Sequence, residues 1–277
     1  MNAVVESPFT ETLRYWRRRR GLSQLELSAE SGISQRHISF LESGRASPSR
    51  EMVLRLGLVL EVPLRQRNLM LLSAGFAPLD RERALGDPEL RPVMQALEFT
   101  LAQHAPNPAI VVDRLWNLRL ANEPAGRLVH WLLGAPEARV PALADSANLL
   151  LQMLHPAGMR PWIANWEQVA ADLLHTIHRE AMVEGPDGAA RALLRELLTL
   201  DGLPAEWRAP NLDARPGPFL PLRLVKDGVA LNFFTAITTL GTPHDVTLHE
   251  LRLETFFPTD DATAAWLRQG TTPEHRP

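Results

Sequence analysis

Residues 21–49 read GLSQLELSAESGISQRHISFLESGRASPS, and this stretch decides the fold of the N-terminal part of the chain. Ser23, Ser34 and Ser49 each precede a run with helical apolar spacing, where a serine side chain caps the helix. Gly32 ends the first run, because glycine readily adopts the left-handed conformation that terminates helices. The stretch therefore predicts two short capped helices joined by a tight turn, followed by the start of another helix.

Further helices are predicted on both sides of this stretch. Residues 9–21, FTETLRYWRRRRG, and residues 63–75, PLRQRNLMLLSAG, both combine apolar residues at helical spacing with a terminal glycine. Leu25, Leu27 and Ala29 are expected to supply inward contacts from the first capped helix. Two capped helices inside an all-α bundle of five form a helix-turn-helix, whose second helix enters the DNA major groove.

The residue types at the start of the second capped helix suit the recognition of base edges. Glutamine pairs with adenine, arginine pairs with guanine, and an aromatic ring contacts the thymine methyl group. Gln24 opens the preceding helix, where side chains and free backbone N–H groups meet phosphate. The predicted DNA-binding residues are Gln24, Ser34, Gln35, Arg36, Ser39, Phe40 and Arg45.

Charge and composition limit the partners of the chain. The 277 residues have a formal net charge of −3, yet residues 1–75 hold 11 Arg against 7 Glu and are net basic. Only residues 1–75 are therefore expected to bind a polyanion. There is no cysteine, which excludes disulfides and cysteine-based metal sites. We expect no membrane segment and no signal peptide, and hence a cytoplasmic protein.

The quoted stretch resembles the Cro/repressor-type (XRE) helix-turn-helix regulators. The resemblance extends beyond this stretch and covers about residues 9–75. The resemblance implies a structural pair between Arg17, near the end of the first helix, and Glu42. A partly buried guanidinium requires such a carboxylate partner. Double-stranded DNA is the implied partner, and we expect a homodimer on a pseudo-palindromic operator, because one recognition helix reads too few base pairs.

A second domain is predicted after a boundary rich in proline, glycine and charge. We place the helix-turn-helix domain at residues 1–75, the linker at 76–92, the second domain at 93–268 and a flexible tail at 269–277. Residues 110–121 read as strand, turn and strand, with Trp116 in the second strand. Asp227-Gly228 joins two further strands, and residues 247–258 alternate as a last strand. This pattern predicts an α+β domain with an antiparallel sheet of about five strands, and its opening strand, turn, strand and asparagine-capped helix resemble a PAS domain.

Residues 93–268 resemble the ligand-binding domain of MmyB-like transcription regulators, in LHPAGMRPWIANWEQVA (154–170), FFTAITTLGTPHDVTLHELRLETFFP (233–258) and ATAAWL (262–267). The resemblance implies a small apolar ligand, which in some members is a fatty acid. A PAS-like pocket lies between sheet and helices, and its apolar candidates are Trp116, Met153, Trp162, Trp166 and Phe233. Arg160, Asn165 and Arg223 are the candidates for binding an acidic head group.

Two alternatives stay open for the second domain. Each apolar candidate could fill an ordinary core, and the domain could serve only dimerisation or a protein partner. Catalysis is not predicted, because no phosphate-binding glycine loop, nucleophile elbow or metalloprotease motif is present. The pairs His175 with His178 and His244 with His249 lack a third well-spaced ligand, so we predict no metal and no cofactor.

Overall fold

The computed structural model describes residues 8–134, 148–184, 188–209, 220–241 and 245–269. The chain divides into two compact units, Met1–Arg83 with Thr242–His249 and Ala84–Gly241 with Glu250–Pro277. The first unit is helical and the second combines helices with an antiparallel sheet, which confirms the predicted fold class. None of the helices that the structure describes has the length and apolarity needed to cross a membrane.

The front part of the first unit is a bundle of short helices. They are α1 (Pro8–Arg19), α2 (Gln24–Ser31), α3 (Gln35–Glu42), α4 (Arg50–Val59) and α5 (Leu64–Ser73). The side chains of Ser23, Ser34 and Ser49 accept hydrogen bonds from backbone N–H groups three residues later, as the sequence predicts. Gly32 ends α2 in the left-handed conformation, with φ of 68°.

The core of this bundle follows the helical spacing of its apolar residues. Phe9, Leu13, Leu27, Ile38 and Leu41 are buried. The prediction that Leu25 and Ala29 also face inward is wrong, since Leu25 is 62% exposed and Ala29 is exposed too. On a helix of eight residues, positions two before and two after a buried residue point to the opposite face.

The second unit is built on a five-stranded sheet with the order β2-β1-β5-β4-β3, in which all neighbours are antiparallel. The strands are β1 (Ala109–Val112), β2 (Leu118–Ala121), β3 (Leu220–Lys226), β4 (Val229–Thr239) and β5 (Arg252–Pro258). Asp227 and Gly228 take φ of 50° and 77° between β3 and β4. This double left-handed turn matches the twist of the paired strands, as the sequence predicts.

The described helices of the second unit are α6 (Arg91–Gln103), α7 (Glu123–Leu133), α8 (Leu149–Leu154), α9 (Trp166–Glu184), α10 (Ala189–Leu197) and α12 (Asp261–Gln269). The short α11 (Val246–His249) belongs to the first unit. Asn122 caps α7 by accepting from the N–H of Ala125, and it also accepts from the N–H of Ala109 on β1. Leu222, Leu224 and Phe233 lie on the sheet face that packs against α8, α9 and α10 in one hydrophobic core.

Two details of the predicted strands are wrong. Trp116 precedes β2 and lies in the turn after β1, where its N–H donates to the carbonyl of Asp113 at 3.0 Å. The start of the predicted last strand forms α11, because the Asp245 side chain accepts from the N–H groups of Thr247 and Leu248 and so starts a helical turn.

The segment around α11 belongs to the first unit, although it lies between β4 and β5 in sequence. Asp245 is only 4% exposed and accepts a hydrogen bond from Arg83 at 2.8 Å. The N–H of Val246 donates to the carbonyl of Arg81, also at 2.8 Å. The first unit thus includes a piece of chain that follows Arg83 by 162 residues.

The predicted domain boundaries stay predictions. Part of the predicted linker is fixed against α5, where Arg67 pairs with Asp80 at 2.6 Å and the Asn68 side chain accepts from the N–H of Leu79 and Asp80. The predicted tail lies outside the described residues except for Gln269, which ends α12.

Candidate DNA-binding surface and candidate ligand cavity

The start of α3 presents a polar surface. Ser34, Gln35 and Arg36 are exposed, and Ser39 and Phe40 are half-buried on the following turn. The guanidinium of Arg36 lies 5.3 Å from the centre of the Phe40 ring, which holds it against the helix by a cation–π contact. The structure thus brings together the side chains predicted to reach base edges, and the exposed Arg45 lies three residues after the end of α3.

Gln24 stands apart from this group, because its side-chain amide donates to Glu42 at 2.8 Å. The same carboxylate accepts from Arg17 at 2.6 and 2.9 Å, and Arg17 also donates to the carbonyl of Leu22 at 2.7 Å. Glu42 is therefore a buried carboxylate with both oxygens engaged, and it ties α1 and α2 to the end of α3. Phosphate binding by Gln24 remains a prediction.

Opposing effects set the pKa of Glu42. Burial raises the pKa of this carboxyl, whereas the hydrogen bonds from Arg17 and Gln24 lower it, as do the positive charges of Arg17 and Arg14. The pKa therefore lies below the ordinary glutamate value, and Glu42 is ionised in the folded chain at neutral pH.

The other arginines of the RRRR run have different surroundings. Arg18 is exposed. Arg19 lies over the rings of Tyr15 and Trp16, at 5.9 and 5.4 Å from their centres. Arg20 donates to the carbonyls of Leu60 and Glu61 at 2.7 and 2.8 Å, at the end of α4. A cation there complements the negative end of the helix dipole.

Arg36→Ala is expected to weaken binding to a specific operator by roughly 1–3 kcal/mol and to relax base preference, because a bidentate contact to guanine would be lost. Fluorescence anisotropy with the operator and with single-base variants measures both effects. Arg179→Ala, an exposed arginine on α9 of the second unit, removes the same charge and serves as the control. An equal loss of affinity on every DNA sequence would instead make Arg36 a phosphate contact.

The second unit contains an apolar cavity between the sheet and the covering helices. It offers about 90 Å³ to the centre of a water-sized molecule, which is room for more than one water. The strands contribute Ile110, Leu118, Leu222 and Phe256 to its wall, and the helices contribute Leu128, Leu149 and Leu173.

Two of the predicted ligand residues line this cavity, Trp116 and Met153. Trp116 has a left-handed backbone with φ of 64°, which is strained for a residue with a large side chain. The Asp113 carboxylate stabilises this turn by accepting from the N–H groups of Leu115 and Asn117. Within the described part of the chain, the indole nitrogen of Trp116 has no hydrogen-bond partner.

The predicted head-group residues lie elsewhere, which corrects the sequence interpretation. Arg160 donates to the carbonyls of Asp201 and Gly202 and stacks on Trp166 at 3.7 Å. Asn165 donates to the carbonyl of Pro221 and accepts from the N–H of Arg223. These groups join loops and strand edges, so hydrogen bonding within the fold already occupies the side chains of Arg160 and Asn165. The side chain of Arg223 is exposed.

The remaining predicted aromatic residues form part of the core or its margin. Phe233 is buried beside the cavity-lining Phe256, with ring centres 6.3 Å apart. Trp166 packs on Trp207 at 5.6 Å, and the ammonium group of Lys226 lies 5.0 Å from the ring of Trp162. None of the three predicted aromatics, Trp162, Trp166 and Phe233, lines the cavity in the described structure.

Sequence reasoning missed Glu254, a buried acid on β5 that lines the cavity. Burial raises the pKa of Glu254 to about 7, and a hydrogen bond with Thr235 only partly opposes this. The alternation of β5 contained the signal, because Glu254 shares a strand face with the lining residue Phe256. An acid at an inward position of an alternating strand is unusual.

No metal site accompanies these groups among the described residues, where no three His, Asp or Glu side chains are arranged to hold an ion. His178 contacts the carbonyl of Trp207 at 3.1 Å through its Nε2 atom. His244 lies outside the described residues.

Two family models match the chain, one within the first unit and one over most of the second unit together with the α11 segment. The family model described as helix-turn-helix matches residues 13–66. The family model described as MmyB-like transcription regulator ligand binding domain matches residues 93–269. Both matches confirm the resemblances on which the sequence predictions depend. No curated protein matches the chain.

Proposed function

The chain belongs to the transcription regulators that have an MmyB-like ligand binding domain behind a helix-turn-helix, and from that premise we propose that a small apolar molecule in the cavity controls its binding to DNA. One matched family is a DNA-binding helix-turn-helix and the other is a ligand binding domain, which supports regulation rather than catalysis. The protein is thus proposed as a one-component switch, with the signal received and the DNA bound by the same chain.

The observation that supports this proposal is the apolar cavity between the sheet and the helices. Protein interiors are packed as densely as organic crystals, and few of their voids exceed the size of one water. A space of about 90 Å³ with apolar walls is unfavourable for water, because water there would lose its hydrogen bonds. An apolar ligand would gain by leaving water for this site, at roughly 25 cal/mol per Å² of surface buried.

The family resemblance makes a fatty acid one candidate ligand. The predicted cation Arg160 is engaged elsewhere, and no lysine, arginine or histidine belongs to the described wall of the cavity. The apolar chain of such a ligand fits this wall, whereas its ionised head group would have no cation there to pair with. We therefore propose an apolar ligand and leave a fatty acid as one member of that class.

On the DNA side, we propose that a homodimer binds a pseudo-palindromic operator with half-sites about one helical turn apart. Gln35 and Arg36 would read bases from the major groove. The exposed start of α3 supports this assignment, and so do the basic residues of the first unit.

A second candidate function is that the second unit only dimerises or binds a protein partner. Phe99 favours this alternative, since it lies on α6 and is 67% exposed. Exposed aromatic residues are enriched at protein interfaces. Under this alternative the cavity would hold no regulatory molecule.

Ala125→Leu is expected to weaken ligand binding at least tenfold, because the larger side chain would enter the cavity from α7. The full-length protein, purified under native conditions, would be analysed by native mass spectrometry for a retained small molecule. Binding of 1-decanol would be measured by tryptophan fluorescence.

Ala192→Leu, on the exposed side of α10, makes the same change outside the cavity. This variant should bind 1-decanol with the affinity of the original protein. Unchanged 1-decanol binding in Ala125→Leu would place the ligand elsewhere. If the original protein retains no small molecule and binds no apolar probe, the dimerisation function is favoured.

A further inference from the structure

Two polar side chains stand out in the apolar wall of the cavity. Of the described lining residues, only Thr235 and Glu254 carry oxygen atoms in their side chains, and no side chain besides Glu254 is titratable. Glu254 is 5% exposed and Thr235 is buried as well. The wall itself is almost wholly apolar, and the polar side chains nearest to it are those of these two residues.

The sheet register places these two residues together. Thr235 on β4 lies opposite Phe256 on β5, and Glu254 lies opposite Ile237, so Thr235 and Glu254 are diagonal neighbours on the same face. On the other side of β5, Glu254 lies opposite Ile110 of β1. Diagonal neighbours are within reach of a long side chain, so the Thr235 hydroxyl lies close enough to lower the pKa of the Glu254 carboxyl against the larger effect of burial.

The other walls bring no charge to this point. The lining residues of β1, β2 and β3 are apolar, and so are those of the helices α7, α8 and α9 and of the loops between these elements. Trp116 adds an indole ring whose nitrogen has no partner within the described structure. Glu254 therefore meets a hydroxyl group and hydrocarbon, with no cation in the described wall to neutralise it.

We propose that Glu254, together with Thr235, determines the specificity of the cavity, and that it selects apolar molecules with an uncharged, hydrogen-bonding end such as a hydroxyl group over ionised carboxylates. This inference rests on the proposed function, since it concerns the ligand of the same cavity. A hydroxyl group both donates and accepts, so it pairs with Glu254 in either protonation state.

An ionised carboxylate ligand meets a different situation. Two carboxylates that share one apolar site cannot both stay ionised, so the pair must retain a proton. The raised pKa of Glu254, about 7, means that Glu254 supplies this proton readily at pH 6 and rarely at pH 8. A carboxylate ligand should therefore bind about tenfold more weakly at pH 8 than at pH 6, in proportion to the protonated fraction of Glu254.

The test compares 1-decanol with decanoate, which have the same chain length and different head groups. Affinities of both probes for the full-length protein would be measured by isothermal titration calorimetry at pH 6 and pH 8. We expect decanoate to lose about tenfold in affinity over this range and 1-decanol to change less than twofold. In Glu254→Gln, decanoate should bind equally at both pH values, because the neutral amide neither needs nor supplies a proton.

Glu167→Gln, at an exposed position of α9, is the matched control and should keep the pH dependence of the original protein. Equal decanoate affinity at pH 6 and pH 8 in the original protein would overturn the inference whether or not the variant folds. A pH dependence that persists in folded Glu254→Gln would also overturn it. If both probes bind without discrimination, only this inference fails, whereas binding of neither probe overturns the proposed apolar ligand too.

Discussion

Arg17→Ala is expected to destabilise the first unit by about 3–5 kcal/mol, because it leaves a buried carboxylate without its cation. Glu42 accepts two hydrogen bonds from Arg17, at 2.6 and 2.9 Å, and both side chains are largely buried. After the substitution, only Gln24 still donates to Glu42 among the partners described above. Destabilisation of the fold, rather than a lost phosphate contact, should therefore dominate the loss of DNA binding.

Hydrogen exchange followed by mass spectrometry measures this effect in the full-length chain, because peptides from α1 to α3 report the opening free energy of the first unit separately. Arg18→Ala is the matched control. Arg18 is the next residue of the same helix and is exposed, so its removal should change stability by less than about 0.5 kcal/mol. Equal protection in the two variants would show that the buried pair contributes little.

Glu42 also makes the first unit sensitive to acid. Its pKa in the folded chain lies below the unfolded value. The stabilisation is therefore complete above the unfolded pKa and is lost as the pH falls through the folded pKa.

Glu254→Gln is expected to make the second unit more stable than the original protein at pH 8 by roughly 3 kcal/mol, with a much smaller difference at pH 5. The folded pKa of Glu254, about 7, lies above the unfolded value of 4.5. The folded state therefore holds a proton that the unfolded state has released, and stability falls as the pH rises from the unfolded to the folded pKa. Glutamine is uncharged at every pH and removes this dependence.

Urea unfolding at pH 5, 6, 7 and 8, with exchange in the β4 and β5 peptides as the local probe, measures the difference between the two proteins. Since histidines titrate in the same range, only the difference between variant and original isolates Glu254. Glu167→Gln should follow the original protein at every pH. Parallel pH profiles for the original protein and Glu254→Gln would mean that Glu254 ionises in the folded state without cost.

The fold could be predicted largely because its determinants are local in sequence. Serine caps act on backbone groups three residues away, as at Ser23 and Ser34, and the Asp227-Gly228 turn joins strands that are adjacent in sequence. Such signals are complete within a few residues. The Arg17 and Glu42 pair is not local, and its prediction came from the family resemblance.

The residues of the cavity were harder to predict, because their positions depend on distant parts of the chain. Arg160 is held by carbonyl groups 41 and 42 residues away, and no local pattern indicates that those loops meet it. Glu254 had a local signal, its inward place on β5. Glu254 was nevertheless not predicted, because an acidic head group would pair with a cation such as arginine and not with a carboxylate.

The position of α11 has a consequence for chimaeras made by exchanging domains between regulators of this kind. The buried Asp245 pairs with Arg83, and in sequence these partners flank residues 84–241, which are the larger part of the second unit. A chimaera that joins the first 83 residues to a foreign ligand-binding domain would lack Asp245, which pairs with Arg83 in this chain. A chimaera that carries only the ligand-binding domain of this chain would contain Asp245 but lack Arg83. A domain exchange at residue 83 should therefore keep the stability of the first unit only when both members of this pair are transferred together.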